Sequence, residues 1–171
     1  MACTKTMDTN LSFTFHKINA VTAREIATWQ YPPPYDVYSY DPNELEENLQ
    51  ELLIPRFHYY TVWNTQGELI GYRCFGEDAR VPGGDYSANA LDMGGGLRPD
   101  LTGKGLGARY MEAAFAFARE QFAPTAFRAT VMAFNMRALR VCATVGYRQV
   151  QKFEGIHTQQ PFIVLMREAN L

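Results

Sequence analysis

The sequence is poor in side chains that build metal sites or covalent staples. Its three cysteines (Cys3, Cys74 and Cys142) form no CxxC pair and no even framework, the usage expected of a reducing compartment. Its three histidines (His16, His58 and His157) lie too far apart for zinc-ligand spacing, so no metal is expected. No apolar run approaches the roughly 18–20 residues of a membrane helix. The opening MACTKTMDTN lacks the apolar core of a signal peptide. These absences point to a cytoplasmic protein without a membrane span. Sixteen basic and 18 acidic residues give a net charge of −2, which excludes a simple polycationic nucleic-acid binder. There is no internal repeat and no low-complexity segment.

What is present suits one globular domain. The chain has 171 residues, of which 47% are hydrophobic and 20% charged, so it needs no disulfide to hold a core. Residues 1–10 read as an N-terminal tail and 11–171 as a single domain. The near-neutral total hides an asymmetry. Residues 31–55 carry six acids (Asp36, Asp41, Glu44, Glu46, Glu47 and Glu51) and no base. Residues 98–152 carry nine bases against Asp100, Glu112 and Glu120. Two readings stand: two solvated faces, or a bipartite site with an anionic ligand on one side and a cationic one on the other.

Patterning predicts strands over 11–18, 57–63, 68–76, 89–97, 126–133, 147–153 and 161–167. Helices are predicted over 21–29 with Thr22 as N-cap, from Asp41-Pro42 to Pro55, from Gly103 to about Phe122, and over 135–144. The Tyr31-Pro32-Pro33-Pro34-Tyr35 stretch is a stiff extended loop. It sits among five aromatics: Trp29, Tyr31, Tyr35, Tyr38 and Tyr40. The order implies a mixed α/β domain with a mostly antiparallel sheet and one βαβ crossover.

The segment from Leu97 to Ala108, LRPDLTGKGLGA, joins a strand to the longest helix. Glycine at 103, 105 and 107 lets the backbone turn sharply and leaves it open to a ligand. The free amides and dipole at a helix start favour phosphate, and Lys104 adds charge. A tight connection with no ligand is the alternative. The run is neither GxxxxGK[ST] nor GxGxxG, so a Walker A loop is excluded and a dinucleotide fingerprint is weak.

The run Leu97-x-Pro99-x-x-Thr102-Gly103-Lys104-Gly105-Leu106-Gly107 resembles the acetyl-CoA motif of the GCN5-related N-acetyltransferases (GNAT). Thr102 stands where that family has Arg or Gln. A second stretch, Asn135-x-x-Ala138-x-x-Val141-Cys142-x-x-x-Gly146-Tyr147, is similar to the family's Asn-x-x-Ala-x-x-Leu-Tyr-x-x-x-Gly-Phe segment. The resemblance implies the GNAT-like acyl-CoA N-acyltransferase fold and transfer of acetyl from acetyl-CoA to a primary amine by direct attack in a ternary complex. A non-catalytic CoA-binding sensor of the same fold is the alternative. It also implies site residues. Gly103, Lys104, Gly105, Gly107 and Ala108, next to Thr102, would hold the pyrophosphate. Gly96 and Leu97 would pair with the pantetheine arm, and Asn135 would reach its amide. Arg137 and Arg140 are candidates for the nucleotide phosphates. Asp92 is the candidate base, with Glu77 and Asp78 behind it. Cys142 takes the place of the family's tyrosine acid. Trp29, Tyr31, Tyr35 and Tyr38, with the acidic helix, would wall a site for a small or peptide-borne cationic amine. The resemblance also allows a homodimer.

Overall fold

A computed structural model of the protein describes residues 12–170. Cys3 and the tail read over 1–10 lie outside the described residues. Seven strands form one sheet in the order β1-β2-β3-β4-β5-β7-β6: β1 (Thr14–Lys17), β2 (Tyr60–Trp63), β3 (Leu69–Phe75), β4 (Leu91–Leu97), β5 (Ala126–Met132), β6 (Arg148–Glu154) and β7 (Pro161–Glu168). Four helices flank it: α1 (Ala20–Ala27), α2 (Leu45–Leu52), α3 (Gly107–Phe122) and α4 (Met136–Thr144). Every strand pair is antiparallel except β4–β5, the two strands that α3 connects. No helix of the described residues is long and apolar enough to cross a membrane. Nor do the described residues hold a group of three His, Cys, Asp or Glu able to bind a metal.

The predicted elements are present, with shifted starts. Asn19, not Thr22, caps α1: its Oδ1 accepts from the Val21 and Thr22 amides, and Thr22 returns a bond to the Asn19 carbonyl. The second helix opens with a 3-10 turn over Pro42–Glu44 before α2. Residues 55–57 form another such turn, and His58 is left-handed, which delays β2 to Tyr60. The largest shift is at α3. Gly103 and Gly105 take φ of +72° and +80°, which no helix accommodates, so α3 starts at Gly107.

Two cores hold the layers. On one face, α3 and α4 pack Met111, Phe115 and Cys142 against Phe75, Met93, Phe127 and Leu165. There Phe117 of α3 stacks on Phe15 of β1 at 4.5 Å between centroids. On the other face, α1 and α2 bury Ala23, Ala27, Leu49 and Leu52 together. Ile26 and Trp29 pack there with Leu69 of β3.

The parallel pair is short. β4 and β5 pair only at Leu91 with Phe127 and Asp92 with Arg128. Asp92 and Arg128, 2% and 1% exposed, are joined by a two-pronged ion pair of 2.6 and 2.8 Å. Arg80 adds a third bond to Asp92 at 2.8 Å. Such a pair gains little over apolar packing, but removing one partner strands a buried charge, at about 3–5 kcal/mol. Asp92→Ala is therefore expected to destabilise the fold by about that much, read as a lower urea midpoint with unchanged slope.

Candidate active site

Beyond Asp92 and Arg128 the sheet opens. Residues 93–97 of β4 pair with β3 alone, and residues 129–132 of β5 with β7 alone. The gap is a wedge with unmatched strand edges on both sides. An extended ligand can enter it and pair as an added strand would. Its β4 wall is the glycine run. Gly95 takes φ of +132°, and a Cβ there would stand 2.2 Å from the Tyr72 carbonyl, so no other residue fits this position.

At the mouth of the wedge lies the glycine turn. Gly103, Lys104 and Gly105 are exposed. No side chain caps α3 at its N-terminus, Leu106 being the N-cap, so the first-turn amides face outward with the positive end of the helix dipole. A Cβ on Gly107 would meet Val141 at 2.6 Å, so glycine sets how closely α3 and α4 approach there. That approach brings Arg137 of α4 over the turn, with its guanidinium carbon 3.5 Å from where a Gly103 Cβ would be. Two left-handed glycines, an uncapped helix start and an arginine suit a diphosphate. Arg140 is exposed on α4, one turn further along. Thr102 turns inward, its hydroxyl donating to the Pro99 carbonyl at 2.8 Å. Asn135 caps α4 through Oδ1, which accepts from Ala138, and its Nδ2 donates to the Tyr38 hydroxyl at 3.0 Å.

The four aromatics expected at one wall separate. Trp29 is buried in the core, tilted against Tyr72. Tyr31, Tyr35 and Tyr38 cross the open end of the wedge. Tyr31 donates to the Leu97 carbonyl at 2.6 Å, on the β4 side. Tyr38 reaches Asn135, and Tyr35 lies against Phe134 and under Arg137, on the β5–α4 side.

A second aromatic group comes from residues far apart in sequence. Tyr40, Tyr59 and Tyr72 gather on the α1–α2 face of β3 and β4, above Cys74 and Gly94. Tyr59 donates to a carboxylate oxygen of Asp78. Asp78 belongs to a turn (Glu77–Ala79) whose Ala79 Cβ lies 3.2 Å from where a Gly94 Cβ would be. Burial, and then the charge of Asp78, push the Glu51 carboxyl of α2 above its usual value. Burial holds the Tyr72 and Tyr59 hydroxyls well above the ordinary tyrosine range, and Tyr40 is pushed up to about 12. The result is a half-buried patch with neutral phenols and two neighbouring carboxylates. Reading the sequence missed Tyr59 and Tyr72. Their alternating neighbours in FHYYTVW and ELIGYRCFG mark strands but not which face becomes a site.

The expected base and acid are both enclosed. Asp92 is 2% exposed and accepts three hydrogen bonds at the vertex of the wedge, two from Arg128 and one from Arg80. Cys142 is 5% exposed in the α3–α4 core, where burial pushes its thiol up to about 11. Burial pushes the Cys74 thiol up to about 12. Thiolate is the reactive form, so at pH 8 Cys74 and Cys142 of the native protein are expected to alkylate more than about a hundredfold slower than a free thiol. Peptide mass spectrometry after timed iodoacetamide labelling, with urea-unfolded protein as reference, checks this.

Comparison with known proteins agrees with this geometry. The family model described as acetyltransferase (GNAT) family matches residues 21–147. No curated protein matches the sequence. Among solved structures, an aminoglycoside acetyltransferase in complex with coenzyme A has a TM-score of 0.73 at 16% identity, covering 92% of this chain and 95% of its own. A spermidine N-acetyltransferase SpeG chimera of Vibrio cholerae and hSSAT has a TM-score of 0.69 at 16% identity, covering 92% and 96%. A ribosomal-protein-S5-alanine acetyltransferase from Vibrio fischeri reaches 0.60 at 15% identity, covering 92% and 93%. At these identities the structures show the fold, and the family model, spanning most of the chain, shows that the protein belongs to the GNAT acetyltransferases, enzymes that use acetyl-CoA as donor.

Proposed function

We propose that the protein transfers acetyl from acetyl-CoA to a primary amine of a cationic small molecule, with the donor in the wedge and the acceptor entering from the α1–α2 side to meet it at the glycine run of β4. The observation that carries this reading is the division of charge across the wedge. On the α3–α4 side stand the glycine turn, Lys104, Arg137 and Arg140, complementary to a diphosphate. On the α1–α2 side stand Asp78, Glu51 and the rings of Tyr40, Tyr59 and Tyr72, complementary to an ammonium. Spermidine and aminoglycosides, named for two structural neighbours, are amines of that kind.

Acetyl-CoA supplies the thioester carbonyl. The rest of the chemistry is the protein's. Backbone groups of Gly95–Leu97 align the arm of the donor, and the first turn of α3 anchors its diphosphate. The acceptor arrives as an ammonium with a pKa near 10 and must lose a proton before it can attack. Asp78 is placed for that step. It belongs to the turn whose Ala79 lies beside Gly94, and Tyr59 donates to it. Glu51 contributes charge for binding. Asp92 serves as the pin of the wedge, and proton removal passes from it to Asp78. Cys142 fills space in the core.

The first experiment is calorimetric titration with acetyl-CoA, followed by a thiol-release assay on an amine panel. Micromolar acetyl-CoA binding and turnover with a polyamine are expected. Binding without turnover on any amine would favour the donor-binding module instead, and no binding would overturn the donor site. Asp78→Asn is expected to lower kcat/KM about a hundredfold and abolish the acid limb of the pH profile, because a general base acts only when unprotonated. Glu51→Gln is expected to raise the acceptor KM and leave kcat within about twofold. Arg137→Ala is expected to weaken acetyl-CoA by about tenfold, a charge-assisted phosphate contact being worth roughly 1.5–3 kcal/mol.

A further inference from the structure

Arg73 lies in the middle of β3, opposite Gly95 of the glycine strand. It is 6% exposed, and among the described residues its charge has no carboxylate partner. Asp92, Arg128 and Arg167 account for the buried ion pairs of the sheet, and Arg73 takes part in none. Its Nη1 makes one long bond, 3.4 Å, to the Gly94 carbonyl. Its Nη2 points at the Met111 thioether, a weak acceptor. Its Nε is the single buried side-chain nitrogen or oxygen without a hydrogen-bond partner among the described residues.

The groups around the guanidinium cannot balance it. Tyr110 of α3 lies beneath it at 4.4 Å, with its hydroxyl committed to the Tyr72 and Gly96 carbonyls. Cys142 of α4 and Tyr147 before β6 also lie near it on the α3–α4 face. Burial holds all three groups protonated at neutral pH: Tyr110 is pushed up to about 12, Cys142 to about 11, and Tyr147 further still. A buried cation among neutral neighbours normally recruits an anion. Gly95 bears directly on its stem: a Cβ at Gly95 would stand 3.0 Å from the Arg73 Cδ. The cation therefore lies under the strand that would carry the reactive end of the donor.

We infer that the Arg73 guanidinium binds the sulfur of CoA as a thiolate and so stabilises the leaving group of acetyl transfer. The inference rests on the donor reading proposed above. As the C–N bond forms, the C–S bond breaks and its electron pair stays on sulfur. Arg73 holds that charge without giving up a proton. The proton lost by the amine goes to the acceptor-side carboxylate and then to solvent, and the thiolate departs or is protonated by water. This assigns the leaving group to a fixed charge on β3 rather than to Cys142.

The test needs no acceptor. Free CoA is titrated into the protein by calorimetry in buffers of different ionisation enthalpy, with acetyl-CoA, which has no thiol, as control. With a free thiol near pH 8.5, wild-type protein at pH 7.5 is expected to release most of one proton on binding CoA and none on binding acetyl-CoA. Its affinity for CoA is expected to rise about tenfold between pH 7 and 8.5 beyond any change seen with acetyl-CoA. Arg73→Met is expected to abolish the release and Arg73→Lys to keep part of it. CoA binding with no proton release, or release undiminished in a folded Arg73→Met protein, overturns the inference and leaves the donor site standing. Should Arg73→Met fail to fold, the wild-type affinities against pH decide alone. Failure of both CoA and acetyl-CoA to bind overturns the donor site, and this inference with it.

Discussion

The ion pair of Asp92 with Arg128 sits at the last position where β4 and β5 touch, and the architecture of the site depends on it. A parallel pair held for only two residues is a weak seam. Two short charge-assisted bonds, with Arg80 as a third, fix it at one point in a dry environment where such bonds are strong and their loss costly. Above that point the strands are free to diverge. The pin thus lets a sheet carry an open slot through its middle without falling into two halves. It also gives a carboxylate in the glycine strand a structural task, since three arginine hydrogen bonds converge on it.

The charge asymmetry in the sequence takes spatial form across this slot. The acids of 31–55 reach the acceptor face mainly through Glu51, since Glu46 turns outward to Arg24. Asp78, from outside that segment, completes the pair. On the other face, Arg137 reaches the glycine turn, while Arg128 is consumed at the pin. Net charge of a segment therefore indicated the polarity of the two faces but not which members serve the site.

What could be read in advance was what is local. Gly103, Gly105 and Gly107 are neighbours along the chain, and the turn they make is dictated by residues within five positions. The same holds for Asn135, whose capping bond reaches only to Ala138. What could not be read was what folding brings together over distance. Asp92 meets Arg128 across 36 positions, and Tyr59 meets Asp78 across 19. Arg73 was invisible for the opposite reason. A single arginine in an apolar strand predicts an acidic partner, and only the three-dimensional arrangement reveals that none of the described residues supplies one.

The glycine run has a consequence for the chemistry that goes beyond backbone freedom. Side chains at 94 and 96 would project to the acceptor face, where Cys74 Sγ lies 2.9 Å from a Gly94 Cβ position and Tyr31 Oη lies 2.9 Å from that of Gly96. With no side chains there, β4 is only one backbone thick over these residues. An amine reaching in from the tyrosines and a thioester in the slot then have no side chain between them at β4, which supports the direct attack proposed above. The burial of both described cysteines agrees with that proposal, since a thiol that took the acetyl group first would have to reach the thioester.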